Sequence, residues 1–417
     1  MRRLAPLIVV VLFACGPGGT QGAVKSAPVT ASPAISIQAS PALSSPSPTT
    51  APSSPSKASL KCSGQPAAAQ ALALFYVYTT QQSDLNVVDV SDPTKPVLLC
   101  TLGPAQGGRF LSASKIAFWS GNTLDAADLV SGDVVQTLEL PAAATIGAVS
   151  ADGTEVAYRV LDHAGGYTAH LYIGGSSGLG SSIDRTLYDQ QAIDGFEGVR
   201  QDLGPLGQLQ FSPDGKELLD YSMFSPTSRL ANLLVFKVDG SILFQESGQA
   251  PGVWSATGSV LYFPVTNQSG PTGEIDSLDS AGQRRTVATG LKDFWLPTLS
   301  PDGRSIVYNT PDVSVADCVG LPHLWRLNLS TGNTSQLSTA ISSGAVFVGR
   351  NVVWSNEEKL TRCGPGGPAA GDGVVLAHNL TTGIDTAVDS GFIKTAAGEP
   401  ANFMSTNFVV DVNFASS

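Results

Sequence analysis

Three stretches of this chain read almost alike: Val149-Ser-Ala-Asp-Gly-Thr-Glu-Val-Ala-Tyr158, Phe211-Ser-Pro-Asp-Gly-Lys-Glu-Leu-Leu-Asp220 and Leu299-Ser-Pro-Asp-Gly-Arg-Ser-Ile-Val-Tyr308. Degenerate copies keep the same frame at Leu111-Ser-Ala-Ser-Lys-Ile-Ala-Phe118, Trp254-Ser-Ala-Thr-Gly-Ser-Val-Leu-Tyr262, Val348-Gly-Arg-Asn-Val-Val-Trp354 and Met404-Ser-Thr-Asn-Phe-Val-Val410. A repeat period of about 40 to 50 residues points to a propeller or solenoid, in which each unit buries its apolar face only against its neighbours. Apolar residues alternate after each turn, the signal of a half-buried strand. The turn chemistry specifies a hairpin. Pro213 or Pro301 presets φ, Asp214 or Asp302 suits the next position, and Gly215 or Gly303 accepts positive φ, with Asp152 and Gly153 in the same places of the first copy. These aspartates are therefore read as structural turn residues.

A second element follows each hairpin, as in Leu233-Leu-Val-Phe-Lys-Val-Asp-Gly240, Leu324-Trp-Arg-Leu-Asn-Leu-Ser-Thr-Gly332 and Val374-Val-Leu-Ala-His-Asn-Leu-Thr-Thr-Gly383, and it occurs seven times between residues 85 and 383. A short outer strand comes next, so one unit is four antiparallel strands. The expectation is an all-β, seven-bladed β-propeller over residues 61–417. Six or eight blades stay open because strand assignment is ambiguous at the two ends. An unclosed ring would expose edges at its first and last blades, so both termini should complete one blade, with 72–79 and 403–414 as partners. Composition agrees: 44 Gly, 27 Pro and 14% charged residues suit short strands and turns and exclude a coiled coil.

On these motifs the chain resembles the TolB-like, PD40 class of WD40-like β-propellers, whose blades carry Ser-Pro-Asp-Gly before an apolar strand and a later Leu-Tyr-hydrophobic-Asp-x-x-Thr-Gly. The resemblance covers about residues 70 to 414 and implies the fold. TolB itself also has an N-terminal α/β domain for docking envelope proteins, and nothing here matches it, so those partners are not carried across.

The first sixty residues supply an address. Met-Arg-Arg, the apolar run from Leu7 to Phe13 and Ala14-Cys15 form a secretory signal too short to span a bilayer as a mature helix. Leu12-Phe13-Ala14-Cys15 resembles the bacterial lipobox, which implies a signal peptide over 1–14, cleavage before Cys15 and acyl chains on that cysteine. Two or three chains, at roughly 0.8 kcal/mol per buried methylene, would hold the protein to a membrane. The expected location is the extracytoplasmic side of a cell membrane, at the cell surface or in the periplasm. Residues 15–60 read as a disordered tether: after Cys15, 31 of 45 residues are Pro, Ser, Ala or Thr. Its reach is roughly 35 Å coiled and up to about 140 Å as polyproline II. The remaining cysteines, Cys62, Cys100, Cys318 and Cys363, lie in a compartment that permits pairing. Three connectivities are open. The expected one joins Cys62 to Cys100 and Cys318 to Cys363, because the latter two occupy the same connection in successive blades.

Charge narrows the partners. No acid occurs in the first sixty residues, which hold Arg2, Arg3, Lys25 and Lys57, so the rest carries 19 basic against 34 acidic residues, a net charge of −15. Such a body repels phosphate backbones, and no nucleic acid is expected. The long insertions, at 162–169, 222–232, 264–273, 310–323, 356–373 and the link 189–204, fall mostly on one face, where loops of this length tend to carry function. Candidate ligand-binding residues on that rim are Tyr167, Phe196, Arg200, Phe224, Arg229, Trp254, Trp295, Asp312, Asp317 and Arg362, an aromatic and Arg-rich set suited to recognition. The competing reading for Trp254 and Trp295 is packing between blades.

Catalytic signals are weak. Gly174-Gly-Ser176-Ser-Gly178 matches a nucleophile pattern outside its strand-turn-helix context. His163, His170, His323 and His378 show no recurring metal spacing. No catalytic residues, metal or cofactor are assigned. The expectation is a monomeric, lipid-anchored binding module, held in the bilayer through acylated Cys15, whose rim takes a protein, peptide or glycan. The alternative is a propeller hydrolase or lyase acting on a sugar or lactone.

Overall fold

The computed structural model describes residues 58–64, 71–78, 83–105, 107–140, 144–162, 168–175, 183–188, 208–222, 232–247, 252–267, 270–291, 295–312, 321–338, 341–362, 369–393 and 409–414. Cys15, the signal peptide and most of the tether lie outside them. The described elements are β-strands apart from one 3-10 turn at Ser390–Phe392, and none is a helix long and apolar enough to cross a membrane.

Seven sheets form the propeller. The first blade holds β1 (Ser59–Cys62), β2 (Ala71–Tyr78), β3 (Ser83–Asp89) and β4 (Val97–Gly103). The second is β5 (Gly108–Ser112), β6 (Lys115–Ser120), β7 (Thr123–Asp128) and β8 (Val134–Glu139). The third is β9 (Ala144–Val149), β10 (Glu155–Asp162), β11 (Thr168–Gly175) and β12 (Ile183–Tyr188). The fourth is β13 (Gln208–Phe211), β14 (Glu217–Ser222), β15 (Asn232–Lys237) and β16 (Ile242–Ser247). The fifth is β17 (Val253–Trp254), β18 (Val260–Asn267), β19 (Gly270–Asp279) and β20 (Arg284–Ala288). The sixth is β21 (Trp295–Leu299), β22 (Ser305–Asp312), β23 (Leu321–Asn328) and β24 (Thr334–Gln336). The seventh is β25 (Ile341–Gly349), β26 (Val352–Arg362), β27 (Ala369–Asn379) and β28 (Ile384–Ala387). The last strand, β29 (Val409–Phe414), returns to blade 1 and pairs antiparallel with β2, Ala71 opposite Phe414.

Blade count follows from burial. Among the described residues the core divides into seven apolar clusters, and each is shared by two neighbouring blades. The middle strands bury both faces: Leu218 packs toward blade 3 while the next residue, Leu219, packs toward blade 5. The cluster joining blades 7 and 1 closes the ring. Phe75, Trp354 and Phe392 meet there with ring centroids 5.0 to 5.6 Å apart, and the Trp354 Nε1–H donates to the Pro93 carbonyl at 2.9 Å.

Closure by both termini stands as expected, with two corrections. Blade 1 has five strands in the order β1-β4-β3-β2-β29, because β1 adds to the outer edge of β4. Ser59 and Leu60, assigned by composition to the tether, therefore belong to the propeller: pairing with β4 gives their backbone partners that composition could not anticipate. The degenerate copy at Met404–Val410 enters the described residues only at Val409. Its apolar end enters β29, whose partner β2 comes from the other end of the chain, and residues 404–408 lie outside the described set.

The Ser-x-Asp-Gly hairpins are built as their residues dictate. Gly153, Gly215 and Gly303 have φ of 74°, 73° and 68°, in the left-handed region that costs glycine no Cβ clash. Ser150, Ser212 and Ser300 hydroxyls donate to Asp152, Asp214 and Asp302 at 2.6, 2.8 and 2.6 Å. Each serine oxygen also accepts the amide five residues on, from Glu155, Glu217 and Ser305, at 2.9 to 3.0 Å. Serine therefore bridges turn and strand, which is why it recurs even at Ser255, where Thr257 replaces the aspartate and Val260 N–H donates to the Ser255 oxygen.

Candidate functional site

In an antiparallel blade successive connections alternate ends, so the turn between the two innermost strands and that between the two outermost share one face. The middle connection and the link to the next blade share the other. Of the segments outside the described residues, 163–167, 189–207, 223–231, 313–320 and 363–368 join strand ends on this second face, whereas 176–182 joins β11 to β12 on the first. The N-terminal entry lies there too. Ser59 pairs with Gly103 at the end of β4 that leads onward to blade 2, and Cys62 pairs with Cys100 further along. A disulfide joins Cys62 and Cys100, so the first strand after the tether is covalently fixed to blade 1.

Of the candidate rim residues, Tyr167, Phe196, Arg200, Phe224, Arg229 and Asp317 lie outside the described residues, as do Cys318 and Cys363. Trp295, Asp312 and Arg362 occupy the second-face ends of β21, β22 and β26. Trp254 is withdrawn from the set. It is 7% exposed and packs with Leu219, Tyr221 and Phe263 between blades 4 and 5, where a large aromatic contributes far more by burial than at a wet rim.

Electrostatics on the described surface serve the blades. Arg284 lies over the Phe263 ring and pairs with Asp276 of its own blade and Glu246 of blade 4, so one guanidinium links two blades. In the hairpins the Asp152 carboxyl is held below its ordinary value, first by the Ser150 hydroxyl and then by Thr154. Burial pushes Asp214 and Asp302 upward, but hydrogen bonds from Lys216 and Ser212, and from Ser300 and Arg304, outweigh it and leave both lowered. Glu217 is raised, chiefly by burial and then by the neighbouring Asp214 charge.

One constellation escaped sequence reasoning. In blade 7 the Ser355 Oγ lies 2.6 Å from His378 Nε2, and His378 Nδ1 lies 2.8 Å from Asp385 Oδ1. The three residues stand on β26, β27 and β28: Asp385 is directly opposite His378, and Ser355 sits diagonally across. The atoms match a nucleophile, base and orienting acid. Exposure decides against that chemistry, since Ser355 is 0% and His378 2% exposed and a nucleophile must reach its substrate. The relay is a cross-strand brace, in which the bond between His378 and the Asp385 carboxylate is of the order of 1.5–3 kcal/mol. The sequence offers only three polar residues on separate strands up to 30 positions apart, and register alone brings them together. Among the described residues no three His, Cys, Asp or Glu side chains form a metal-binding group.

No protein-family profile and no curated protein matches the sequence. Solved structures do. An oligogalacturonate lyase in complex with manganese is 14% identical, over 72% of this chain and 87% of that one, with a TM-score of 0.49. A putative TolB from Agrobacterium tumefaciens is 15% identical over 64% and 89%, at 0.39. The β-propeller domain of the Trilobed protease from Pyrococcus furiosus is 12% identical over 68% and 96%, at 0.41. The likeness is one of architecture: the chain is a seven-bladed β-propeller similar to TolB and related propellers. Enzymes and a TolB protein both stand among these neighbours, and neither kind is favoured by them.

Proposed function

We propose that this chain is an exported lipoprotein, held in a membrane by acyl chains on Cys15, whose propeller binds a protein, peptide or glycan through the connections on one face. The observation that carries this reading is the strand that follows the tether. Ser59–Cys62 is paired to β4 and cross-linked to Cys100, so a pull on the anchor is borne by the ring, and such a bond suits an exported compartment. Ser59, the first residue of that strand, lies at the face that also carries many of the long connections.

Two measurements test the proposal in sequence. Intact-mass analysis of the N-terminal peptide from membranes should find acylated Cys15, and Cys15→Ala should leave an unprocessed precursor; a soluble, unacylated product would end the lipoprotein reading. Photo-crosslinkers at Phe224 and Arg229 should then capture one defined envelope protein or glycan, whereas crosslinkers at Val130, on the opposite face, should not. Equal labelling from both faces, or turnover of a sugar or lactone by the purified chain, would overturn the binding assignment.

A further inference from the structure

Three buried oxygens converge between blades 6 and 7 without a hydrogen-bond partner: Asn309 Oδ1, Ser342 Oγ and Glu357 Oε1. Asn309, on β22, donates its Nδ2–H to the Ser342 carbonyl at 2.6 Å, which brings the Asn309 amide to Ser342 and assigns its orientation. Ser342, on β25, is directly opposite Glu357 on β26, so their side chains share the face turned toward blade 6. Asn309 is 3% exposed, Ser342 0%, and the Glu357 side chain 11%. Native interiors leave few buried polar atoms unsatisfied, and each one costs about 1–3 kcal/mol. Three together mark a polar contact between blades 6 and 7 that the neighbouring side chains do not satisfy.

Chemistry narrows the occupant. A carboxamide oxygen and a carboxylate oxygen offer only lone pairs, so an occupant must offer them protons or positive charge, and the carboxylate favours charge. The His378 Nε2 is 3.5 Å from Glu357 Oε1, but that nitrogen is already engaged by the Ser355 hydroxyl, and the other ring nitrogen by Asp385. Arg326, on the facing strand β23, is engaged with Ser305 Oγ and the Leu380 carbonyl. His378 Nε2, at 3.5 Å and shared with Ser355, is thus the nearest cationic group to Glu357 among these contacts. A set made wholly of oxygens, with one carboxylate, suits a small hard cation of the sodium or calcium class and not a soft metal that seeks nitrogen or sulfur.

We infer that Asn309, Ser342 and Glu357 form a site for such a cation, which joins blade 6 to blade 7. The test uses the full-length protein, stripped with chelator and exchanged into choline chloride, with thermal unfolding followed during titration with NaCl, CaCl2 or MgCl2 at constant ionic strength. Sodium or calcium should raise the midpoint saturably, by about 3 °C at a hundredfold excess over Kd for a chain of this size. Glu357→Gln should abolish the response, and Ser342→Ala should shift it to at least about tenfold higher cation concentration. If Glu357→Gln does not fold, Ser342→Ala alone decides. A wild-type midpoint no different from the choline control, an unchanged response in Ser342→Ala, or a crystal structure grown with both cations that shows only water between the three oxygens would each overturn the inference.

Discussion

Replacing both Cys62 and Cys100 by alanine should lower the unfolding midpoint by about 5 °C. The bridge spans 38 positions and encloses β2 and β3, the middle strands of the closing blade. Cross-linking a loop of that length removes about 13 cal/mol/K of chain entropy from the unfolded state, or about 4 kcal/mol at 25 °C. Unfolding entropy near 2.1 cal/mol/K per residue, over roughly 350 folded residues, converts this to about 5 °C. Alanine is chosen because Cys100 is only 1% exposed and a serine hydroxyl there would be buried without a partner. Using variants instead of a reductant leaves Cys318 and Cys363 untouched. Calorimetry supplies the midpoint, and hydrogen exchange supplies the local effect: the amides of β1, a strand whose side chains are mostly exposed, should lose protection while β2 and β29 keep theirs. A midpoint shift below about 1 °C, or wild-type protection in β1, would refute the view that the bridge secures this strand to the ring.

Gly147→Ala should destabilise the fold by about 1–3 kcal/mol in denaturant titration, because its Cβ would sit 2.2 Å from the Trp119 ring between blades 2 and 3; unchanged stability would mean that the ring has room to move. Asp152, Asp214 and Asp302 all have carboxyls lowered from 3.8 in the folded state, so they stabilise it above that pH and the contribution is lost as pH falls through their folded values. Combined Ser150→Ala, Ser212→Ala and Ser300→Ala should therefore flatten the dependence of the midpoint on pH below about 4, and an unchanged acid slope would count against the hairpin network. Burial raises Tyr221 and Tyr308 from 10.0 to about 12. Their phenols stay protonated in the fold after an unfolded chain has lost its protons, so stability should decline from pH 10 toward 12, and ultraviolet titration should show two late-ionising tyrosines that vanish in Tyr221→Phe and Tyr308→Phe.

Whatever depends on neighbours along the chain was legible in the residues alone. Pro213-Asp214-Gly215 and Pro301-Asp302-Gly303 impose their turns through φ preferences and short-range hydrogen bonds, and alternation in stretches such as Ile306-Val-Tyr308 specifies strands with two buried faces. Repetition of that local unit then implied a ring of blades, since no single blade can cover its own faces. Tertiary structure decided everything that rests on register and on partners far apart in the chain. Pairing of β29 with β2, more than 300 residues away, bears out the closure expected from the two ends and supplies its register, with Ala71 opposite Phe414. Pairing of β1 with β4 drew Ser59 and Leu60 out of the tether. Cross-strand register likewise placed Ser355, His378 and Asp385 in one relay and brought Asn309 to Ser342 and Glu357 from three strands. A shift of one residue turns every side chain of a strand to the opposite face, so such meetings are fixed by the packing of whole sheets and leave almost no trace in any local pattern.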